Sequence, residues 1–451
     1  MDEREYRFPE EFLWGASISS HQVEGGNTND WSEWENKYAS QLAEESKGIY
    51  GYWQPWQIEM FPEMKDPSNY ISGRACDHYN RFEEDFKLAK DLGHSAIRIS
   101  IEWSRVEPEE GKFDEDEIRH YKKVISSLRE LGIEPFVTVW HWTVPLWFRD
   151  KGGWENRGSV NFFIRYAEKM VHSLGSDVKF WITINEPEIY SSSGYYAKGL
   201  WPPEKKSFVK YFTVFHNLIK AHKLAYSAIK KTYPHSHVGV AKDNIYFEAY
   251  RSKVKNKIVA TLADLWWNEY FLFRIRNHQD FIGLNHYFHN LIVNWSEKNE
   301  NKIVSDLGWE LYPESIYFVL KDLQKYGRPV YILENGLADA EDKKRSWYIM
   351  EILRHVRRAM YEGADVRGYL HWSLMDNFEW NKGFWPRFGL VEIDRKTLER
   401  RPRHSAEFYK DIILERGLTQ KVIKKHEECC LRDIASRIKG EAPSVGSRFE
   451  E

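Results

Sequence analysis

Two glutamates in this chain stand where acid–base chemistry at a sugar bond could be done. Glu186 lies in the segment 181–187, Trp-Ile-Thr-Ile-Asn-Glu-Pro, and Glu334 lies in the segment 330–336, Val-Tyr-Ile-Leu-Glu-Asn-Gly. Each follows a short apolar run rich in β-branched residues, and Pro or Gly follows almost at once, which predicts a carboxylate at the end of a buried strand. Two carboxylates at two strand ends are what acid-assisted cleavage of a glycosidic bond requires.

Strand-like and helix-like segments alternate along the chain. The predicted strands are 12–17, 96–101, 135–139, 180–185, 238–241, 281–285, 330–333 and 366–370. The predicted helices are 78–92, 114–131, 160–174, 210–231, 313–326 and 344–362. This alternation predicts an α/β fold, a (β/α)8 barrel formed by residues 1–415 as a single domain. Because the carboxyl ends of barrel strands face one mouth, Glu186 and Glu334 are expected to share a cleft.

A doubly wound parallel sheet is the alternative fold for such an alternation. It would require a glycine-rich phosphate-binding turn after an early strand, and the sequence contains none. Residues 416–451 are predicted to form a helical extension that ends in a disordered tail.

Composition limits the classes of partner. The 451 residues include 65 Lys and Arg against 68 Asp and Glu, a net charge of −3, which offers no electrostatic case for nucleic acid or an anionic membrane. Cys76, Cys429 and Cys430 form neither a disulfide framework nor a zinc pattern. The amino terminus lacks the apolar core of a signal peptide, and no apolar run is long enough to span a bilayer. We therefore expect a cytoplasmic protein without metal or organic cofactor, and a homo-oligomer is left open.

The two glutamate motifs, in this order and inside this alternation, resemble glycoside hydrolase family 1, the retaining β-glycosidases, and the resemblance runs from residue 12 to about residue 408. By resemblance, Asn185-Glu186-Pro187 is the acid/base element and residues 332–336 are the nucleophile element, with Glu334 attacking the anomeric carbon. Asn185 is implied to bind the sugar 2-hydroxyl. Retaining hydrolysis needs carboxyl groups about 5–5.5 Å apart, one of them held protonated because two close charges repel.

Two further residues are implied to support Glu334. Arg98 is a cation inside an apolar strand and needs a partner, which the resemblance identifies as Glu334; a purely structural salt bridge is the alternative. Tyr287 is implied to hydrogen-bond the same carboxylate. The family usually has Asn-Tyr-Tyr here, whereas this chain has Asn285-His286-Tyr287. We expect His286 to point away from Tyr287 and to tune the site without abolishing activity.

The resemblance also implies a set of substrate-binding residues around the cleft. They are Gln22, His141, Trp142, Asn185, Tyr287, Trp372, Glu379, Trp380 and Phe388. Trp372 is implied to be the platform under the nonreducing sugar, and Glu379 with Trp380 to grip its outer hydroxyls. Trp140 and Thr143 differ from the residues common in the family. The resemblance therefore does not predict the subsite that binds the leaving group.

These motifs predict an exo-acting retaining β-glycosidase for β-D-glucosides, and also for β-D-galactosides and β-D-fucosides, with a small-molecule β-glycoside or an oligosaccharide as its partner. The alternatives are an endo-β-glucanase, an inactive sugar-binding protein and a 6-phospho-β-glycosidase. The grip expected of Glu379 and Trp380 argues against the first, and the presence of both glutamates against the second. Phosphoglycoside-cleaving relatives have Ser, Lys and Tyr where this chain has Glu379, Pro386 and Phe388, and an anionic Glu379 would repel phosphate.

Overall fold

Eight parallel strands close into a barrel in the computed structural model, which describes residues 6–46, 53–196 and 201–430, the last three by their backbone alone. The strands are β1 (Leu13–Ser17), β2 (Ala96–Ser100), β3 (Glu134–Trp140), β4 (Phe180–Asn185), β5 (His237–Asp243), β6 (Ile282–Asn285), β7 (Val330–Glu334) and β8 (Val366–Trp372). They follow one another around the barrel in chain order, and β8 pairs with β1. The predicted (β/α)8 barrel is therefore confirmed, and the doubly wound sheet is excluded.

Helices connect the strands. The main ones are α1 (His78–Asp91), α2 (Glu115–Glu130), α3 (Ser159–Leu174), α4 (Phe208–Thr232), α5 (Val254–Asp264), α6 (Ser315–Leu323), α7 (Arg345–Tyr361) and α8 (His404–Leu414). Shorter or peripheral α-helices are Ser20–Val23, Asp30–Glu45, Pro55–Met60, Trp103–Val106, Leu146–Asp150, Pro187–Ser191, Tyr270–Ile275 and Gln420–Cys430. Small strands outside the barrel are Tyr6–Arg7, Tyr246–Ala249, His289–Val293, Ser296–Glu297, Val391–Ile393, Arg400–Pro402 and Gly417–Leu418.

Helix α5 was not predicted, although its apolar residues Val254, Ile258 and Leu262 recur at the helical spacing i, i+4 and i+8. These residues are 74%, 54% and 59% exposed, so they face solvent instead of the barrel. The chain then continues through a π-helical turn, Leu265–Glu269, which breaks the 3.6-residue period.

Helix α2 shows how local signals set an element boundary. The carboxylate of Asp114 accepts hydrogen bonds from the backbone N–H groups of Asp116 and Glu117 at 2.9 and 3.2 Å, as expected of the predicted N-cap. The helix stops before Gly132, whose φ of +68° lies in the left-handed region that glycine adopts without strain. The Asp114 cap and Gly132 therefore set the two ends of α2 through local contacts, with little dependence on tertiary packing.

The Asp114→Ala variant is expected to lower the free energy of unfolding by about 1 kcal/mol, because two N–H groups at the start of α2 lose their acceptor. The measurement is the urea midpoint of the full chain followed by circular dichroism. Lys122→Ala, at an exposed position of the same helix, is the control and should leave the midpoint within error. An Asp114→Ala midpoint equal to that of Lys122→Ala would contradict the capping role.

Aromatic rings close the amino-terminal end of the barrel. Phe136, Phe180, Phe281 and Tyr331 pack against one another inside it, and the rings of Phe136 and Phe180 stack with centroids 4.2 Å apart. This end is therefore filled by side chains, as barrel interiors are. The polar residues at the opposite, carboxyl ends of the strands are left to form the site.

The carboxyl-terminal extension begins with the short strand Gly417–Leu418, which pairs with Tyr6–Arg7, and continues as a helix as far as the structure describes it. Gln420–Cys430 packs on α8, where His426 Nε2 and Asp411 Oδ2 are 2.6 Å apart. The side chains of Cys429 and Cys430, and the tail predicted to be disordered, lie outside the described residues. Among the helices of the described ranges, none has the length and apolar character needed to cross a bilayer.

Candidate active site

Both glutamates lie at the carboxyl ends of their strands. Glu334 is the last residue of β7, and Glu186 follows directly on β4. Their side chains are buried in the barrel mouth, with Glu186 6% and Glu334 5% exposed. Glu186 has a φ of +39°, a left-handed conformation that is strained for a residue with a Cβ atom. The surrounding structure must hold Glu186 in this conformation.

Gly336 accounts for the glycine that follows Glu334 so closely. A Cβ atom at this position would lie 1.9 Å from the carbonyl oxygen of Trp372. The Trp372 N–H also donates to the Asn335 carbonyl at 3.0 Å, which holds the two chain segments together. Because only glycine permits this approach, the Glu-Asn-Gly motif brings Glu334 and Trp372 to one site.

Hydrogen bonds connect the two glutamates through two asparagines and an arginine. Asn285 Nδ2 donates to Glu186 Oε1 at 2.7 Å and to Asn185 Oδ1 at 3.3 Å. The same Asn185 oxygen accepts a 2.6 Å hydrogen bond from Arg98. The Arg98 guanidinium also forms an ion pair with Glu334. The structure thus brings together four residues that the sequence assigned to one site, and it adds Asn285.

The two carboxyl groups have different electrostatic surroundings. Burial, and then the charge of Glu334, raises the pKa of Glu186 well above its usual range. Burial also raises the pKa of Glu334, but the charge of Arg98 and hydrogen bonds from Arg98 and Tyr287 oppose this shift. Of the two, Glu334 is the one bonded to a cation. The pair therefore favours a proton on Glu186 and a negative charge on Glu334.

The residues after β6 have separate contacts. The Tyr287 hydroxyl donates to Glu334 Oε2 at 3.0 Å. His286 is buried and engages other groups: Nδ1 is 2.7 Å from the Asn244 carbonyl, and Nε2 is 2.7 Å from the Ser315 hydroxyl. Burial lowers the pKa of His286 to about 4, so its imidazole is neutral. The departure from the family pattern at His286 therefore leaves the contact between Tyr287 and Glu334 in place.

The Tyr287→Phe variant is expected to reduce kcat/KM for an aryl β-glucoside by about 10- to 100-fold. Glu334 then loses a hydrogen bond to a charged group, of the kind that contributes about 1.5–3 kcal/mol. Tyr317→Phe is the matched control, because it removes a 2.7 Å hydrogen bond to Glu362 on the outer surface. Steady-state kinetics at one pH suffice. Equal kinetics for the two variants would remove Tyr287 from the site.

Hydrogen-bond partners assign the proton on His141. Because Arg98 donates to Asn185 Oδ1, the Asn185 amide nitrogen is the group that lies 3.1 Å from His141 Nε2. Burial and the charge of Arg98 hold the pKa of His141 well below its usual range, so the ring is neutral. Nε2 must accept, which puts the proton on Nδ1. Nδ1 has no hydrogen-bond partner among the residues that the structure describes.

Glu379 lies beside the proposed sugar platform. The Trp372 indole N–H donates to Glu379 Oε1 at 3.1 Å. Burial raises the pKa of Glu379 to about 8, and the Trp372 hydrogen bond and the charge of Lys382 oppose the shift. Lys382 was not among the predicted site residues; its Nζ lies 5.8 Å from the centroid of the Trp309 ring. The region around Glu379 therefore contains a positive charge, although not at the positions where phosphoglycosidases have theirs.

Three more predicted residues form the wall of the mouth. Gln22 is fully buried, and its amide donates to the Phe378 carbonyl at 2.8 Å and to Asn377 Oδ1 at 3.1 Å. Trp142 and Trp380 pack with ring centroids 4.8 Å apart. Both tryptophans have positive φ, +77° and +53°. As at Glu186, strained backbone conformations coincide with residues of the site.

Phe388 lies among apolar side chains. It is 2% exposed and belongs to a buried cluster with Trp372, Trp385 and Phe61. Its ring centroid is 6.1 Å from that of Trp309. This packing supports the Trp372 ring, and a direct contact between Phe388 and substrate stays a prediction.

Sequence analysis missed several polar residues of the mouth. Asn285 was assigned only to a strand, although it bonds Glu186. Thr138 of β3 accepts a 2.9 Å hydrogen bond from Arg98 Nε. Lys242 and Asp243 end β5 and are buried. The signal that revealed Glu186 was present here too, because in each case a polar side chain interrupts an apolar strand near its carboxyl end.

Comparison with known proteins agrees with this geometry. The sequence profile of glycosyl hydrolase family 1 matches residues 4–275 and 267–418. The 1,4-beta-D-glucan glucohydrolase of Thermotoga neapolitana is 32% identical over an alignment of 468 positions, which covers 92% of this chain and 99% of the relative.

Solved structures give the same result. The beta-glycosidase from Pyrococcus horikoshii superposes with a TM-score of 0.81 and 36% sequence identity, covering 94% of this chain and 98% of that chain. The beta-glucosidase from Thermotoga maritima in complex with glucoimidazole superposes with a TM-score of 0.79 and 30% identity, covering 92% and 100%.

Proposed function

The chain belongs to glycosyl hydrolase family 1, and from that premise we propose an exo-acting retaining β-glycosidase that uses Glu186 as acid/base and Glu334 as nucleophile. One observation carries the proposal. Glu334 is bound by the cation Arg98 and the Tyr287 hydroxyl, whereas Glu186 is bound by the neutral amide of Asn285. One carboxyl is thus prepared to attack and the other to give up a proton.

In the first step the Glu334 carboxylate attacks the anomeric carbon. The bond between that carbon and the leaving-group oxygen breaks, and its electron pair goes to the oxygen, which takes the proton of Glu186. In the second step Glu186, now ionised, removes a proton from water, and the water oxygen attacks the anomeric carbon. The Glu334 ester bond breaks, which restores the charge on Glu334 and the proton on Glu186.

Sugar recognition is proposed to involve the residues around this pair. The N–H of His141, which has no hydrogen-bond partner within the described ranges, suits a sugar hydroxyl. The His141 ring lies nearly parallel to those of Trp372 and Trp380. Ring centroids are 6.3 and 6.0 Å apart in these two pairs. The carboxyl group of Glu379 can accept from either an equatorial or an axial 4-hydroxyl, which supports β-D-glucosides, β-D-galactosides and β-D-fucosides as substrates.

A panel of nitrophenyl β-glycosides tests the substrate class. We expect turnover of the glucoside, galactoside and fucoside, and little of the 6-phosphoglucoside. The reason is that Pro386 and Phe388 beside Glu379 in the motif have no side-chain group that could bind phosphate. A 6-phosphoglucoside turned over faster than the glucoside would show that Lys382 recruits phosphate. Release of glucose alone from cellopentaose is expected of an exo-acting enzyme, and cellobiose or larger products would favour an endo-β-glucanase. Binding of glucose without any hydrolysis would revive the inactive sugar-binding protein.

Three sequence-based expectations stay predictions. These are a cytoplasmic location with a role in carbohydrate metabolism, independence of metal and organic cofactors, and the absence of a nucleic-acid partner. The assembly of the chain into oligomers stays open.

A further inference from the structure

Two further buried carboxyl groups, Glu188 and Asp243, lie near one buried lysine, Lys242. Lys242 Nζ lies 3.0 Å from Glu188 Oε1, and it donates to the main-chain carbonyl oxygen of Asp243 at 2.5 Å. Lys242 is 0% exposed, and Glu188 and Asp243 are each 1% exposed. We refer to Glu188, Lys242 and Asp243 as the rear cluster. None of them has a role in the mechanism above.

Backbone contacts hold the rear cluster against Glu186. The Glu186 N–H donates to the Ala241 carbonyl at 2.8 Å, which ties the end of β4 to β5. The Asp243 N–H donates to Glu188 Oε1 at 2.7 Å. On the other side, Asp243 is paired in register with Asn285, whose amide bonds Glu186. Asp243 is therefore fixed between two segments that both contact or contain Glu186.

Two carboxylate oxygens of the rear cluster lack partners. Asp243 Oδ2 accepts from the Trp267 indole N–H at 3.0 Å, but Asp243 Oδ1 is buried with no hydrogen-bond partner among the described residues. Glu188 Oε2 is likewise buried and without a hydrogen-bond partner among the described residues. A buried carboxylate that is half satisfied is costly when ionised, so the cluster favours retention of a proton.

Charge balance around Glu186 and the rear cluster leads to the same conclusion. The buried ionisable groups there are the carboxyls Glu186, Glu188, Asp243 and Glu334 and the cations Arg98 and Lys242; Glu379 and Lys382, across the mouth, add one charge of each sign and leave the balance unchanged. Full ionisation would leave two unbalanced negative charges away from water, which is strongly unfavourable. Tyr287 and His141 are neutral and do not change the balance, since burial raises the pKa of Tyr287 and lowers that of His141. Charge balance therefore favours two retained protons among the four carboxyls below neutral pH, one of which is lost when Asp243 ionises.

We infer that Asp243 is a positioning residue for the proton of Glu186: its ionised carboxylate, partly balanced by Lys242, keeps Glu186 protonated above neutral pH. The inference rests on the proposed role of Glu186 as the acid. Burial, and then the charge of Glu188, raises the pKa of Asp243 to about 7, so Asp243 gains its charge as pH rises through neutrality. That new negative charge disfavours a second one on Glu186.

The test is the pH profile of kcat/KM for phenyl β-glucoside, whose poor leaving group needs the proton. In Asp243→Asn the negative charge is absent, Glu186 ionises more easily, and the basic limb should move down by about one pH unit. The double variant Asp243→Asn/Lys242→Met also removes the positive charge, and its basic limb should return toward that of the wild type. The acid limb, set by Glu334 with Arg98, should move less in both.

Asp280→Asn is the matched control. Asp280 is a carboxylate near a lysine, Lys230, at 3.0 Å, and it accepts an N–H group, from the Val238 backbone at 3.0 Å, but it lies at the amino-terminal end of the barrel. Its pH profile should equal that of the wild type. A merely structural role for Asp243 would lower activity equally at every pH, and that result, or an unmoved basic limb, would overturn the inference.

A second measurement is independent of variants and of turnover. Infrared titration of the wild-type chain should detect buried protonated carboxyls below neutral pH, among them Glu186, Asp243 and Glu379, and a loss of this signal near pH 7, as the Asp243 titration requires. A protonated-carboxyl signal that stays unchanged through neutral pH would overturn the inference even if Asp243→Asn failed to fold. Absence of any glycoside hydrolysis by the wild type would instead refute the proposed function, so the two failures are distinguishable.

Discussion

Replacement of Glu334 by Gly is expected to lower kcat for an aryl β-glucoside by at least about 10⁴-fold. Without this carboxylate no group remains on that side of the anomeric carbon to form the glycosyl-enzyme, and Arg98 loses the anion that it pairs with. The measurement is nitrophenol release under saturating substrate. Full activity in the Glu334→Gly variant would refute the role of Glu334 as nucleophile.

Azide or formate should restore turnover to Glu334→Gly, since the missing side chain leaves space for a small anion next to Arg98. The anion attacks from the face opposite the leaving group in a single displacement, so a β-glucoside should yield the α-glucosyl azide, identifiable by NMR. Glu334→Gln is the matched control, because its amide cannot attack and leaves no space for azide. It should be inactive and should not be rescued. A β-configured azide product would contradict the assignment.

Replacement of Glu186 by Ala is expected to separate substrates by their leaving groups. Phenyl or alkyl β-glucosides need the proton of Glu186 and should lose about 10²- to 10⁴-fold in kcat/KM. A dinitrophenyl β-glucoside leaves without a proton, so its glycosylation should fall by less than about tenfold. The glycosyl-enzyme should accumulate, because no base then activates water, and this is visible as a burst of dinitrophenol.

The product formed with azide distinguishes Glu186→Ala from Glu334→Gly. In Glu186→Ala the nucleophile Glu334 is intact, so azide attacks the glycosyl-enzyme in a second displacement and gives the β-glucosyl azide. Opposite configurations from the two variants would assign both roles by one NMR method. Glu186→Gln is the control, because it keeps the size of the side chain and the contact with Asn285 but cannot supply the proton. It separates the effect of the lost proton from the effect of the lost contact. Equal losses for phenyl and dinitrophenyl glucosides would contradict the acid role of Glu186.

The prediction of elements succeeded where local signals and burial agreed. Helix α2 has an Asp cap, a terminating glycine and an apolar face toward the barrel, and its predicted bounds differ from the observed ones by a single residue at each end. Helix α5, which was not predicted, has apolar residues at helical spacing, but they lie on its exposed side, so local pattern and burial disagree there. The strand ends followed from short apolar runs that stop at a polar residue, as β4 does before Glu186.

The amino-acid sequence alone determined the order of strands around the barrel and the strand ends that carry Glu186 and Glu334. These are local properties, because a buried parallel strand is an apolar run of limited length and its direction sets which end faces the mouth. The tertiary structure decided which groups surround each carboxyl. Arg98 and Glu334 are 236 residues apart in the chain, and Asn285 and Glu186 are 99 apart, so their contacts exist only after the barrel closes. Protonation depends on burial and on charges across such distances, which is why the contacts of Asn285, Lys382 and the rear cluster became apparent only in the folded chain.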